Sequence, residues 1–99
     1  MLHTVNKSPF ERDALESCLR HAAAGDTVLL IEDGVYGAMR GGAFTPRLQQ
    51  ALQSMRVCAL QPDVEARGIR DKLLAEVTLI DYGGFVDLAV EHYPIMAWL

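Results

Sequence analysis

Thr27-Val28-Leu29-Leu30-Ile31-Glu32-Asp33 is the stretch on which the architecture turns. A strand with one wet face alternates apolar and polar residues. This run is continuously apolar until its acidic end, as expected of a parallel strand covered on both faces. Both faces can be covered only by helices lying in the crossovers between parallel strands. The stretch therefore predicts an α/β fold of three layers, α/β/α, around a mainly parallel sheet of about five strands.

The flanking sequence supplies the other pieces. Upstream, Leu2-His3-Thr4-Val5 reads as a short first strand. Ser8-Pro9-Phe10-Glu11 carries helix-start signals: a capping hydroxyl, a proline for the first helical position and a glutamate to close a capping box. The predicted helix runs to about Ala24, with Leu15, Leu19 and Ala22 as its core stripe and Gly25 as its stop. Downstream, Val35 to Met39 reads as a short helix and Arg40-Gly41-Gly42 as a loop. Thr45-Pro46 opens a second main helix with Leu48, Leu52 and Met55 facing inward. Arg56-Val57-Cys58-Ala59-Leu60 is a third strand, stopped by Pro62. Asp63 to Arg67 forms a helical turn or two, ended by Gly68. Val77 to Tyr82 is the next strand, and Gly83-Gly84 turns it into a last helix, Phe85 to about His92. Pro94 breaks that helix, and Ile95 to Leu99 returns as an edge strand. With no linker or repeat in view, residues 1–99 are expected to form a single domain.

Composition narrows the function. The 99 residues carry a net charge of −4, and no basic run offers a face for nucleic acid. No apolar run approaches the ~20 residues of a membrane span. The first residues lack the pattern of a secretory signal, so the cytoplasm is the expected location. In a reducing compartment Cys18 and Cys58 are expected as free thiols. There is no C-x-x-C, and three scattered histidines do not complete a zinc pattern, so neither metal nor cofactor is expected. Just over half the residues are hydrophobic, 51%. A chain this short cannot shelter so much apolar surface in one core, and partner subunits are expected to cover the excess.

In open α/β sheets, sites gather beyond the carboxyl ends of the strands. Lys7, after the first strand, is placed to hold an anion at a helix start. Glu32-Asp33 reads either as a magnesium-type carboxylate pair or as a cap for the following turn. No phosphate-binding glycine motif accompanies it. Gly83-Gly84 reads as an ordinary tight turn, with close approach of a partner as the alternative. Cys58, mid-strand among apolar neighbours, reads as core. Cys18 falls about 60° from the stripe axis on a helical wheel, at the border of burial. There His21, three residues on, and Arg20 could stabilise a thiolate, while the helix dipole is too far away to help. Its two readings are a reactive thiol and a packed one. Trp98 near the C-terminus reads either as packed on its own domain or as an interface anchor.

These segments resemble a known family, the DsrH/TusB subunits of sulfur-relay complexes. The resemblance is carried by Leu2-His3-Thr4-Val5-Asn6-Lys7-Ser8-Pro9-Phe10, Leu29 to Val35, Asp63 to Gly68, Ile80 to Leu88 and the ending Met96-Ala97-Trp98-Leu99. It implies a flavodoxin-like (DsrEFH-like) α/β fold. It also implies assembly with DsrE/TusD-type and DsrF/TusC-type subunits into a heterohexamer. That complex passes persulfide sulfur from a TusA-type donor to a DsrC/TusE-type acceptor, toward either tRNA 2-thiouridine or sulfur oxidation. The Lys7 to Arg12 start and the Glu16-Ser17-Cys18 segment look closer to DsrH, whose members can carry a cysteine at this position. Under the resemblance Cys18 becomes a candidate persulfide carrier tuned by His21, with inert packing as the alternative. Tyr82, Phe85 and Trp98 are read as interface residues.

Overall fold

A computed structural model describes all residues, 1–99. Five strands, β1 (Leu2–Val5), β2 (Thr27–Leu30), β3 (Arg56–Leu60), β4 (Thr78–Ile80) and β5 (Ile95–Trp98), form one sheet. Every neighbouring pair is parallel, in the order β4-β3-β2-β1-β5. The helices are α1 (Ala14–His21), α2 (Thr45–Ala51), α3 (Gln61–Ala66) and α4 (Tyr82–Glu91). Tighter 3-10 turns span Glu32–Ala38 and Arg70–Lys72.

The order explains how the layers fill. Each connection from β1 through β4 steps the same way across the sheet, and right-handed crossovers then place their helices on one face. The connection from β4 to β5 steps back past β1, which puts α4 on the other face. Side-chain alternation along the strands agrees. Val28 and Leu30 enter the main core with Leu15, Leu19, Leu48 and Val64. Leu29 points the opposite way, into a small second core with Leu2, Cys58 and Leu88. The direction reverses between β1 and β5, whereas flavodoxin itself, ordered 2-1-3-4-5, reverses between β1 and β3.

Three local expectations change. The first helix begins at Ala14, not near Pro9. Ser8 does organise the segment, but as a turn: its Oγ accepts from Phe10 N–H at 3.2 Å, and its carbonyl accepts from Glu11 and Arg12 N–H. Lys7 therefore lies well ahead of α1 and has no helix start beside it. At the other end α1 stops at His21, with Ala22 already extended. Finally, Gly83 and Gly84 form the first turn of α4 rather than a turn before it. Asp81 is the cap, and its carboxylate accepts from Gly84 N–H at 2.8 Å.

Candidate functional site

The packed face of α1 decides the environment of Cys18. Its buried side chains are Ala14, Leu15, Cys18 and Leu19, so the true stripe runs one position to the side of the Leu15–Leu19–Ala22 line. Cys18 sits inside that stripe and is 0% exposed, where the wheel placed it at the border. Burial, reinforced by the negative charge of Asp26, pushes its thiol up to about 12. Cys58, in the second core, is likewise fully buried, and burial raises its pKa. His21 is exposed, and its ring meets the indole of Trp98 edge-on at 5.5 Å.

A polar network that sequence reasoning missed lies beside this helix. His3, in β1, is 2% exposed, yet both its ring nitrogens are engaged. Nε2 lies 2.9 Å from Asp26 Oδ2, and Nδ1 accepts from the Trp98 indole N–H at 3.2 Å. Indole nitrogen only donates, so Nδ1 must be the acceptor and Nε2 carries the proton toward Asp26. Asp26 also accepts from Ala23 N–H at 3.0 Å and from the Met1 ammonium at 3.2 Å. Its carboxyl is held down at about 2, first by the His3 hydrogen bond, then by the Ala23 amide and the terminal ammonium. The network ties β1, the start of β2 and β5 together. The one clue in the sequence was a histidine inside the short first strand, Leu2–Val5.

Asp26→Asn tests that network. The Asp26 pKa drops from 3.8 in the open chain to about 2 on folding. Its stabilisation is therefore complete above about 4 and is lost as pH falls through 2. The shift is discounted for partial exposure of the carboxylate, and the variant is expected to lose about 1–2 kcal/mol at pH 7. Urea unfolding at pH 7, 4 and 2.5 checks this. The gap between wild type and variant should close toward pH 2.5, and a constant gap contradicts the assignment.

At the carboxyl end of β2, neither reading of Glu32-Asp33 holds. Asp33 Oδ1 pairs with Arg67, whose Nε and Nη2 both lie at 2.9 Å. The same guanidinium sits 6.0 Å above the ring of Tyr36. Asp33 is thus an ion-pair partner rather than a cap. Glu32 has a positive φ of 49°, and its N–H donates to Asp63 Oδ2 at 2.7 Å. No three His, Cys, Asp or Glu side chains come close enough to share a metal ion.

The three residues read as an interface fall in different places. Tyr82 opens α4 and is 61% exposed. Phe85 is half-buried against the second core. Trp98 is half-buried against the main core, on the opposite face of the sheet. No helix is long and apolar enough to cross a membrane.

Known proteins share this fold over almost its whole length. The ychN protein from E. coli superposes with a TM-score of 0.79 at 17% identity, covering 97% of each chain. A protein of unknown function from Methanobacterium thermoautotrophicum gives the same TM-score at 20% identity, over 97% of this chain and 96% of that one. Sequence similarity is closer elsewhere. Protein TusB of Pectobacterium parmentieri is 43% identical over 98 residues, spanning 99% of this chain and all of that one. Protein TusB of Escherichia coli K12 is 40% identical over the same span. The profile of the family described as "DsrH like protein" matches residues 7–94. Matched by that profile, and by proteins named TusB from end to end, the chain belongs to the DsrH/TusB family.

Proposed function

We propose that the chain is a non-catalytic subunit of a sulfur-relay complex that serves 2-thiolation of the tRNA wobble uridine. It would stand beside DsrE/TusD-type and DsrF/TusC-type subunits in a heterohexamer in the cytoplasm. The observation that carries this reading is identity of 40–43% along the full length of proteins named TusB. It favours the thiolation branch over sulfur oxidation.

The burial of Cys18 supports a structural role over the carrier role. In a relay step a thiolate attacks the outer sulfur of a donor persulfide. A new S–S bond forms on the acceptor, the donor S–S bond breaks, and the donor leaves as a thiolate with no net oxidation. Cys18 would have to enter that step from a fully buried site with a pKa near 12. At pH 7 only on the order of one molecule in 10⁵ would hold the thiolate. His21 turns toward Trp98 and gives no thiolate-stabilising contact. The carrier cysteine is then the one on the DsrE/TusD-type subunit, and this chain helps form the assembly on which donor and acceptor dock.

The test is a reconstituted relay with a TusA-type donor and a DsrC/TusE-type acceptor. Omitting this chain should stop transfer. Cys18→Ala should leave the transfer rate within about twofold, since it keeps a small apolar residue in the core. Mass spectrometry should find no gain of about 32 Da, one sulfur atom, on the Cys18 peptide. An adduct there together with a tenfold slower variant would restore the carrier reading. Failure of the wild type to join the other two subunits would end the subunit reading itself.

A further inference from the structure

Exposed apolar surface is not spread evenly over this molecule. Of its nine exposed large apolar side chains, seven lie between Tyr82 and Leu99. On α4, Tyr82, Val86 and Val90 recur at a spacing of four and so share one helix face. Their exposures are 61%, 60% and 77%, and Tyr93 just beyond the helix is 82% exposed. Leu88 and Phe85 hold the opposite side of α4 on the second core. The outer stripe is therefore not needed to dock the helix on its own sheet.

Charge says what fits there. No lysine or arginine follows Lys72, while Glu76, Asp81, Asp87 and Glu91 all do. Asp87 forms no ion pair, and Glu91 has only His92, at 3.9 Å. Wheel positions place Asp87 and Glu91 along one border of the Tyr82–Val86–Val90 stripe. A second copy of this chain laid on the stripe would bring acid against acid, which opposes association. A partner with lysine or arginine at the rim would be steered in and paired. We propose that the outer face of α4 docks a protein subunit whose own surface carries an apolar strip rimmed by basic side chains, and not a second copy of this chain. The proposal rests on the relay-subunit reading and assigns that assembly its contact face on this chain.

The experiment measures binding of the full chain to the DsrE/TusD-type and DsrF/TusC-type subunits at low and high salt. Val86→Glu/Val90→Glu alters two exposed positions and should fold normally by circular dichroism, yet weaken binding by about 100-fold or more. Asp87→Lys/Glu91→Lys should weaken it about tenfold and flatten its salt dependence. Phe10→Glu, equally exposed but far along the chain, should bind as wild type. If wild type assembles and Val86→Glu/Val90→Glu assembles equally well, the face is wrongly assigned while the relay reading stands. If wild type binds neither subunit, the relay reading and the assigned occupant fall together. A homodimer of the wild type broken by the same double substitution would overturn the choice of partner over self.

Discussion

Gly34→Ala is expected to be the most damaging single-methyl change in this chain, costing about 3 kcal/mol or more. A Cβ built at Gly34 would lie 2.2 Å from the carbonyl oxygen of Val5 and 3.0 Å from its carbonyl carbon. Both atoms are backbone, so no rotamer change relieves the clash. Ile31 N–H donates to that same Val5 carbonyl, and Gly34 N–H donates to Ile31 O at 2.8 Å. Any shift that makes room therefore disturbs the carboxyl ends of β1 and β2 together. Overpacking a rigid site typically costs about 1–3 kcal/mol, and an unyielding backbone neighbour puts this case at or beyond the top of that range. A domain of this size has roughly 5–15 kcal/mol in all, so the variant should be severely destabilised. Two comparisons make the prediction specific. At Gly37 the added Cβ would meet Leu15 Cδ2 at 2.5 Å, the far end of a flexible side chain, and the cost should be smaller. At Gly25 nothing lies within 4 Å, but φ is +90°, so alanine there should cost about 1–2 kcal/mol through backbone strain alone. Urea midpoints should fall in the order Gly25→Ala, Gly37→Ala, Gly34→Ala, with the last lowest. A Gly34→Ala midpoint equal to that of Gly25→Ala would show that the close approach does not constrain the fold.

The central run from Thr27 was enough to predict the sheet because a strand buried on both faces leaves an unambiguous mark: apolar residues with no alternation. Arg56–Leu60 carried the same mark and forms β3 at the expected residues. The misreadings occurred where signals are local and weak. Ser8, Pro9 and Glu11 satisfy a helix-start pattern, but a hydroxyl that can cap a helix can equally close a turn, and here it does. Pro62 reads as a stop, yet it is also suited to the first turn of a helix, and α3 begins with Gln61-Pro62. At the glycine pair the composition suggested a turn, while the decisive residue was Asp81, whose capping bond depends on φ and ψ that sequence does not display.

The site was harder to read for a different reason. Whether Cys18 is buried depends on which residues of α1 share its inner face, and that is set by how the helix packs on the sheet. Leaving Ala14 out of the stripe turned the predicted face to one side and put a buried thiol at the border. The His3–Asp26–Trp98 network was out of reach, since its members are separated by 23 and 95 positions. Only the return of β5 beside β1 brings Trp98 to His3, and no periodicity encodes that return. The excess of apolar residues in a short chain, by contrast, was visible from composition alone. The structure adds where it went: onto α4 and the residues that follow it.

That placement makes Trp98 the residue through which stability and the proposed assembly meet. Trp98→Ala is expected to cost about 3 kcal/mol. The indole is half-buried against the main core, so its removal forfeits part of the roughly 3–5 kcal/mol seen for a fully buried aromatic. It also strips His3 Nδ1 of its donor at a site that is 2% exposed, and an unsatisfied buried acceptor adds about 1 kcal/mol or more. Trp98→Phe separates the two contributions: the ring is kept, the N–H is lost, and the expected cost is about 1–2 kcal/mol. Pairing Trp98→Phe with His3→Phe in a double-mutant cycle should return a coupling near 1 kcal/mol, because the two side chains share one hydrogen bond. Zero coupling would mean that the bond contributes nothing. Trp98 is also the last residue of β5, paired with Val5, and β5 has β1 as its only neighbour in the sheet. Loosening Trp98 therefore frees the far end of the α4–β5 segment without altering a single side chain on the outer face of α4. Binding of Trp98→Ala to the proposed partner subunits should weaken even at temperatures where the rest of the domain stays folded. If the variant binds as tightly as wild type while melting earlier, then α4 is held without β5, by Leu88, Phe85 and Ala89 on the second core and by the Leu2 N–H that donates to His92 O, and the C-terminal strand serves stability without serving assembly.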